Sequence, residues 1–204
     1  MNWRYGNRRC SPAQLEGCSP AWNQTLDFEF EAPSRFGPNR PLYKPEHWDK
    51  VQELDMWTNK YDPVMTCQPL GLPRHGTPRR IIQSDNDILF FYPENADYGG
   101  GNNEYRDIPT DGRARNEQQS LISTYYGYSI GHWEGDTLVI ESTSFNDSTW
   151  LGRGGFMHTA DMKIVERLTR VGNELRYDMT VEDPMFVEPW VVPTRILRAG
   201  AANV

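Results

Sequence analysis

The sequence predicts a mainly β protein whose antiparallel strands close into an up-and-down barrel, as in lipocalin-like folds. Candidate strands follow one another at short intervals from residue 81 onward, and tight-turn sequences separate several of them. The chain also contains 17 Gly and 15 Pro in 204 residues, which favours many short elements over long helices. About eight sequential strands are too many for a flat sheet with one solvent-exposed face. We therefore expect the sheet to close into a barrel, with a β-sandwich as the alternative.

Two hairpins are the most clearly marked elements. Glu134-Gly135-Asp136 and Gly172-Asn173 each join two apolar alternating runs, and Gly and Asn tolerate the positive φ that tight hairpin turns require. The strands predicted by alternation and turn chemistry are Ile81–Gln83, Asp87–Tyr92, Glu104–Ile108, Tyr125–Trp133, Thr137–Ser142, Met162–Thr169, Glu174–Glu182 and Trp190–Leu197.

The first part of the chain is different, because prolines interrupt it repeatedly. We divide the sequence into a Pro-rich N-terminal arm over 1–60 that packs on the barrel, and a barrel domain over 61–204. One short strand is expected at Asp27–Glu31, and one short helix at Pro45–Asn59. Pro45 suits a first helical turn, and apolar residues recur at helical spacing after it.

Composition limits the classes of partner. The formal charge of −7 disfavours nucleic acid as a partner, and no apolar run reaches the roughly 20 residues of a membrane helix.

The cysteines and the N-terminus bear on the cellular compartment. Cys10 and Cys18 could close a small disulfide loop, and the alternative is three reduced cysteines, with Cys67 as the third. No apolar signal segment follows Met1, which suits either a cytoplasmic protein or the mature form of a periplasmic or secreted one.

Alternation along the predicted strands assigns side chains to the interior. Glu166 falls on the apolar face of its strand with Met162, Ile164 and Leu168, and Arg106 shares a face with Ile108. The other predicted interior residues are Leu175, Tyr177, Met179 and Val181 on one strand, and Tyr126, Tyr128, Ile130 and His132 on another.

A carboxylate inside such a barrel must have a partner, because burying an isolated ionised group costs several kcal/mol. One interpretation is a structural Glu166–Arg106 pair. The other is a pocket in which Glu166 is a general base, Arg106 holds or orients an anionic group, and His132 or Tyr177 donates a proton. In that second interpretation His158 lies at the entrance, and Tyr126, Tyr128, Ile164 and Met179 bind substrate.

Cofactor and metal motifs are not expected. The four histidines show no metal-ligand spacing, and neither a G-x-S-x-G elbow nor a phosphate-binding glycine loop occurs. Proton-transfer chemistry, such as isomerisation, elimination, cyclisation or retro-aldol cleavage, needs only a positioned base and acid. The first hypothesis is therefore a cofactor-independent lyase or isomerase that acts on a small, largely apolar or aromatic molecule.

Two other hypotheses remain open. A lipocalin-like protein could bind the same kind of small molecule without chemistry. Alternatively, a structural or surface-assembly protein could use the N-terminal arm to contact a partner or a second copy of itself, giving a homo-oligomer.

One longer pattern resembles a protein family. Gly127–Val139 reads Gly-Tyr-Ser-Ile-Gly-His-Trp-Glu-Gly-Asp-Thr-Leu-Val, and it is accompanied by Cys67–Arg74, Tyr105–Ile108, Asp111–Arg113, Asp183-Pro184 and Pro189-Trp190. Over about residues 60–195 this resembles an abundant family of uncharacterised bacterial proteins, many of which carry export signals. The resemblance implies an exported, β-rich protein and no assigned reaction. The chain departs from the family at Thr159-Ala160, where relatives usually carry Ser-Glu.

Overall fold

The computed structural model of the chain describes residues 3–5, 40–92 and 104–199. Over these ranges the protein is mainly β and antiparallel, as predicted, and its strands form two sheets. The strands are β1 (Trp3–Tyr5), β2 (Arg80–Gln83), β3 (Asp87–Phe91), β4 (Tyr105–Pro109), β5 (Tyr128–Glu134), β6 (Thr137–Thr143), β7 (Lys163–Val171), β8 (Glu174–Glu182) and β9 (Trp190–Ala199).

The larger sheet is built from sequential hairpins. Its order is β1-β9-β8-β7-β6-β5, so that five consecutive strands pair with their chain neighbours and the three-residue β1 lies along the outer edge of β9. The turns at Gly135 and Gly172 have φ values of 58° and 60°, which confirms the two predicted hairpins. The smaller sheet has the order β2-β3-β4.

The two sheets face each other but do not form one continuous ring. β4 lies beside β5, yet no ladder of strand pairing joins the sheets in the part of the chain that the structure describes. Over these residues the strands form two antiparallel sheets that enclose a common core, and a closed barrel is not seen in them.

The helical segment begins where the sequence predicts it. A single 3-10 turn at Pro45–His47 leads into α1 (Trp48–Met56), and the short α2 (Thr58–Tyr61) follows separately because Trp57 leaves helical geometry at φ −113°, ψ 34°. A second 3-10 turn (Pro63–Thr66) and the short α3 (Glu117–Ser120) were not predicted. None of the helices in the described ranges has the length and apolar character needed to cross a bilayer.

Several predictions about the N-terminal arm concern residues outside the described ranges. The strand at Asp27–Glu31 and the Cys10–Cys18 disulfide are among them. The described part of the arm comprises 3–5 and 40–60, so the two-part division and the oligomer hypothesis stay predictions. Cys67, which is described, is an exposed free thiol.

The inner faces of both sheets supply the core, and they confirm the predicted faces of β4, β7 and β8. Arg106 and Ile108 of β4 are buried, as are Ile164, Glu166 and Leu168 of β7. The predicted inner face of β8 is buried throughout, comprising Leu175, Tyr177, Met179 and Val181.

β5 has the opposite orientation to the one predicted. Its buried residues are Ser129 and Gly131, whereas Tyr128 and Ile130 are half-buried and His132 is exposed. The reason is close packing against β4, since a Cβ on Gly131 would lie 2.9 Å from Thr110 Cγ2. The small-residue face must therefore turn inward, and the predicted inward positions of Tyr128 and His132 are wrong.

Candidate functional site

A buried ion pair between the sheets is the centre of the candidate site. Arg106 on β4 faces Glu166 on β7, and its guanidinium donates hydrogen bonds from Nη1 to Oε1 at 3.0 Å and from Nη2 to Oε2 at 2.5 Å. This is the two-pronged geometry that arginine prefers with a carboxylate. Glu166 has no solvent-exposed surface, so the pair is sealed inside the core.

Further polar groups surround the same guanidinium. Nη2 also donates to the hydroxyls of Ser129 at 2.8 Å and Ser142 at 2.9 Å, and Nη1 donates to the Tyr92 hydroxyl at 2.9 Å. The inward-facing Ser129 and Ser142 both accept from Arg106, so the Gly- and Ser-rich face of β5, which alternation placed outside, has a polar partner in the interior. Among the described residues, Arg106 Nε is the one sealed polar side-chain atom without a partner.

Tyr177 completes the shell around the carboxylate. Its hydroxyl donates to Glu166 Oε1, so both carboxylate oxygens are engaged. Burial, reinforced by the negative charge of Glu166, raises the pKa of Tyr177 well above its ordinary value. Burial acts to lower the pKa of Arg106, but the charge and hydrogen bonds of Glu166, together with the electrostatic effects of Tyr92 and Tyr177, outweigh burial and the pKa is raised. The phenol therefore stays protonated and the guanidinium stays charged.

This geometry favours the structural interpretation of Glu166. A general base must reach the proton that it abstracts, within about 3 Å or through one water. The Glu166 oxygens instead point to Arg106 and Tyr177, and no part of the side chain is exposed. The structure brings together three of the five predicted catalytic residues, Glu166, Arg106 and Tyr177, as a satisfied buried network.

Three aromatic rings extend the network on the side of Tyr92. The imidazole of His75 lies 4.8 Å from the Tyr92 ring, measured between centroids, and the Tyr126 ring stacks on Tyr92 at 5.6 Å. His75 Nδ1 and the Tyr126 hydroxyl are hydrogen-bonded to each other. We refer to His75, Tyr92 and Tyr126 as the ring cluster; all three are buried.

The ring cluster retains its phenol protons at neutral pH. Burial raises the pKa of Tyr92 to about 12, although the positive charges of Arg106 and Arg195 act to lower it. Burial also raises the pKa of Tyr126, and the charge of Glu104 adds to the increase. Both tyrosines are therefore neutral hydrogen-bonding groups inside the protein.

The loop that carries His75 is fastened at several points. Arg74 forms two hydrogen bonds of 2.7 Å with the carboxylate of Asp62 in a second buried ion pair, and the His75 amide donates to the Gly71 carbonyl at 2.9 Å. A Cβ on Gly71 would lie 2.8 Å from Thr149 Oγ1, so the loop fits only with glycine there. His75 is held in place by this packing, and periodicity could not predict it because the loop has none.

Arg195 on β9 also points into this interior and was not predicted. The pairing of β8 with β9 shifts register between Tyr177 and Met179, which adds a residue to β9 between Val192 and Arg195. Simple alternation from Trp190 places Arg195 on the outer face, whereas the bulge turns it inward opposite Tyr177. Only 6% of the residue is exposed.

His158 has a different environment from the one predicted for an entrance. Its Nδ1 lies 2.9 Å from the Thr159 carbonyl, which can only accept, so Nδ1 carries the proton and Nε2 accepts from the Thr149 hydroxyl at 2.8 Å. Burial lowers the pKa of His158, which keeps it neutral. Asp183 holds the same loop, because its carboxylate accepts a hydrogen bond from the Thr159 amide at 2.8 Å.

The remaining predicted site residues are divided between the core and the outer surface. Ile164 and Met179 are buried on the inner faces of β7 and β8, and Tyr126 is buried in the ring cluster. His132 lies on the outer surface, 3.3 Å from Glu134, and Tyr128 packs against the Arg115 guanidinium. His132 is therefore not available as an interior proton donor, and Tyr128 is not an interior binding residue.

Neither a protein-family profile, a characterised protein nor a solved structure matches this chain. In the described ranges, no three His, Cys, Asp or Glu side chains are grouped so that they could hold a metal ion.

Proposed function

We propose that the protein binds a small, largely apolar or aromatic molecule between its two sheets, beside the ring cluster. The observation that carries this proposal is the direct connection of the ring cluster to the buried charged network, through the Arg106–Tyr92 hydrogen bond. A core made only for stability is more easily built from aliphatic side chains, because desolvating a charged pair costs several kcal/mol. Buried ionisable groups with perturbed pKa values are concentrated at functional sites, which supports a functional role for the interior around this network.

The chemistry of the surrounding groups suits such a ligand. Flat rings offer stacking surface, and neutral tyrosine hydroxyls offer hydrogen bonds that orient a ligand without demanding a charge. Ile164 and Met179 would add apolar surface from β7 and β8. In this proposal the two sheets serve as the wall of a lipocalin-like barrel, or as the two layers of a sandwich, with the ligand in the interior.

The test is direct binding of a neutral aromatic probe, 2-naphthamide, followed by isothermal titration and by thermal shift. A probe of about a dozen non-hydrogen atoms at about 0.3 kcal/mol per atom gives a Kd of roughly 1 mM or tighter. We expect saturable binding in this range, weakened at least threefold in Tyr126→Ala because that change removes a ring from the cluster.

Tyr105→Ala is the matched control, because Tyr105 is an exposed tyrosine on the outer side of β4. It should leave the affinity unchanged. Tyr126→Phe keeps the ring and should bind the probe even if Tyr126→Ala does not fold. Absence of saturable binding to the wild-type protein, or equal loss in Tyr105→Ala, would contradict the proposal.

A cofactor-independent enzyme of the lyase or isomerase type is the second candidate. The hydrogen bond between His75 and Tyr126 favours it, because an imidazole and a phenol in contact can pass a proton. This moves the proposed chemistry away from Glu166. Turnover of a bound molecule that is lost in Tyr126→Phe, with binding kept, would establish this candidate; unchanged turnover in that variant would exclude the pair.

The exported location that the family resemblance implies is also part of the proposal. Fractionation of cells that produce the natural protein would place it outside the cytoplasm, and recovery only in the cytoplasmic fraction would contradict this.

A further inference from the structure

Arg195 differs from the other buried arginines of the described chain. Arg74 is paired with Asp62, and Arg106 is paired with Glu166, each through two hydrogen bonds. No hydrogen bond or ion pair joins the Arg195 guanidinium to any residue that the structure describes. A guanidinium with 6% of its residue surface exposed and no carboxylate beside it is costly, since a buried charge ordinarily has a partner.

The guanidinium is also not fully sealed. Among the described residues, Arg106 Nε is the one fully buried polar side-chain atom that has no hydrogen-bond partner. The Arg195 nitrogens also have no partner in the described chain, so they would belong to the same class if they were fully buried. They therefore keep some solvent-accessible surface. Gly76, whose φ is +83°, lies beside the Arg195 guanidinium, and a Cβ on Gly76 would lie 3.9 Å from Arg195 Nη1. The loop thus passes the guanidinium without a side chain to cover it.

Tyr92 supplies a second unused donor near the same place. Its oxygen accepts from Arg106 Nη1, so its own hydrogen must point elsewhere, and no acceptor for that hydrogen is found among the described residues. A Cβ on Gly76 would lie 3.9 Å from Arg195 Nη1, and the ring of the preceding residue, His75, lies 4.8 Å from the Tyr92 ring, so both donors belong to the same part of the interior. The positive charge of Arg195 also acts to lower the pKa of Tyr92. Two donors without an acceptor, one of them cationic, are complementary to an oxyanion.

We propose that Arg195 and Tyr92 form an anion subsite, and that the ligand of the interior is an organic carboxylate with an apolar or aromatic body. This inference rests on the proposed function and names the ligand class of the same site. A carboxylate fits better than a doubly charged phosphate, because Glu166 already neutralises Arg106 and one positive charge is left to balance. The planar fork of arginine also matches the two oxygens of a carboxylate.

The experiment compares 2-naphthoate with the neutral, nearly isosteric 2-naphthamide on the wild-type protein by isothermal titration. We expect the carboxylate to bind at least tenfold more tightly. In Arg195→Gln that preference should fall below threefold while 2-naphthamide binding is kept, and Arg195→Lys should retain part of the preference. Arg170→Gln, which removes an exposed arginine of β7, should keep the full preference.

The outcomes separate this inference from the proposed function. Equal affinity for the two probes in the wild-type protein would overturn the anion subsite and leave interior binding standing. A carboxylate preference that Arg195→Gln does not reduce, with the variant folded by circular dichroism, would also overturn it. Failure of both probes to bind would overturn both proposals. If Arg195→Gln does not fold, Arg195→Lys supplies the comparison, and a carboxylate preference that this variant does not reduce would overturn the assignment to Arg195.

Discussion

At the scale of single residues, Glu166 and Arg106 share two charge-assisted hydrogen bonds in a part of the core that solvent does not reach. The bonds themselves are strong, but both ions have lost their hydration, so the net contribution of the intact pair is small. Removing one partner is different, because the other charge is then left buried and alone.

Glu166→Gln should therefore lower the free energy of unfolding by about 3–5 kcal/mol, since Arg106 keeps its charge without a counter-ion. Urea unfolding followed by tryptophan fluorescence measures this. Glu182→Gln removes an exposed carboxylate from β8 and serves as the control, with an expected change within about 0.5 kcal/mol. Equal stability of the two variants would show that the pair is not structural.

His158 predicts a pH dependence of stability. Burial lowers its pKa in the folded protein, with Asp183 and Asp147 acting in the opposite direction, so the unfolded chain binds the proton more readily. The contribution of neutral His158 is complete above the unfolded pKa of about 6.5 and is lost as the pH falls below it. The drop in Tm between pH 7.5 and pH 5.5 should be smaller in His158→Gln than in the wild type.

The control for that measurement is His132→Gln, which removes an exposed histidine and should keep the wild-type drop. If His158→Gln keeps it as well, burial of a neutral His158 is not the cause.

Individual site residues could be predicted where a regular strand carries them. Alternation along the strands predicts the inward orientation of Glu166, Arg106 and Tyr177. The Glu166–Arg106 ion pair follows because a buried carboxylate needs a partner. Arg195 and His75 could not be predicted in the same way. A bulge reverses the alternation before Arg195, and His75 lies in a loop whose conformation depends on tertiary packing against Thr149 and Asp62.

At the scale of elements, β5 shows how a glycine determines which face of a strand is inside. Gly131 lies against Thr110 and Ile108 near the end of β4, with 2.9 Å and 3.1 Å from a hypothetical Cβ to their Cγ2 atoms. The approach of β4 to β5 requires this missing side chain, and that approach brings Arg106 over the inner face of the larger sheet. Hydrophobic alternation alone favoured the tyrosine face, because it contains no information about the neighbouring strand.

Gly131→Ala should destabilise the fold by about 1–3 kcal/mol through overpacking. Thr110→Ser removes the clashing methyl while keeping the hydroxyl that donates to the Asn86 carbonyl, so the double variant should regain at least half of the loss. Urea unfolding of the two single variants and the double variant measures the coupling. Strictly additive losses would show that the two positions are not in contact.

Strand positions were more predictable than strand faces. Each predicted segment from Ile81–Gln83 to Trp190–Leu197 overlaps an observed strand, and Glu174–Glu182 has the same bounds in both. Turn residues mark strand ends locally, whereas the inward face depends on bulges and on packing between sheets.

At the scale of the whole molecule, the number of strands alone could not predict whether the sheet closes into a barrel. The described chain divides its strands between a three-stranded sheet and a larger one, and Arg106 bridges the two by hydrogen bonds to β5, β6 and β7. The polar network therefore links the two sheets within a shared apolar core, and the ring cluster and Arg195 lie beside it. We expect the ligand between the sheets for this reason.

The most direct measurement is the location of bound 2-naphthamide by intermolecular nuclear Overhauser effects. The account predicts contacts from the naphthalene protons to the ring protons of Tyr92 and Tyr126. Trp48 and Trp57 provide the competing surface, because both indoles are about half exposed on the helical segment. Contacts to those indoles alone, with none to the ring cluster, would contradict an interior site between the sheets.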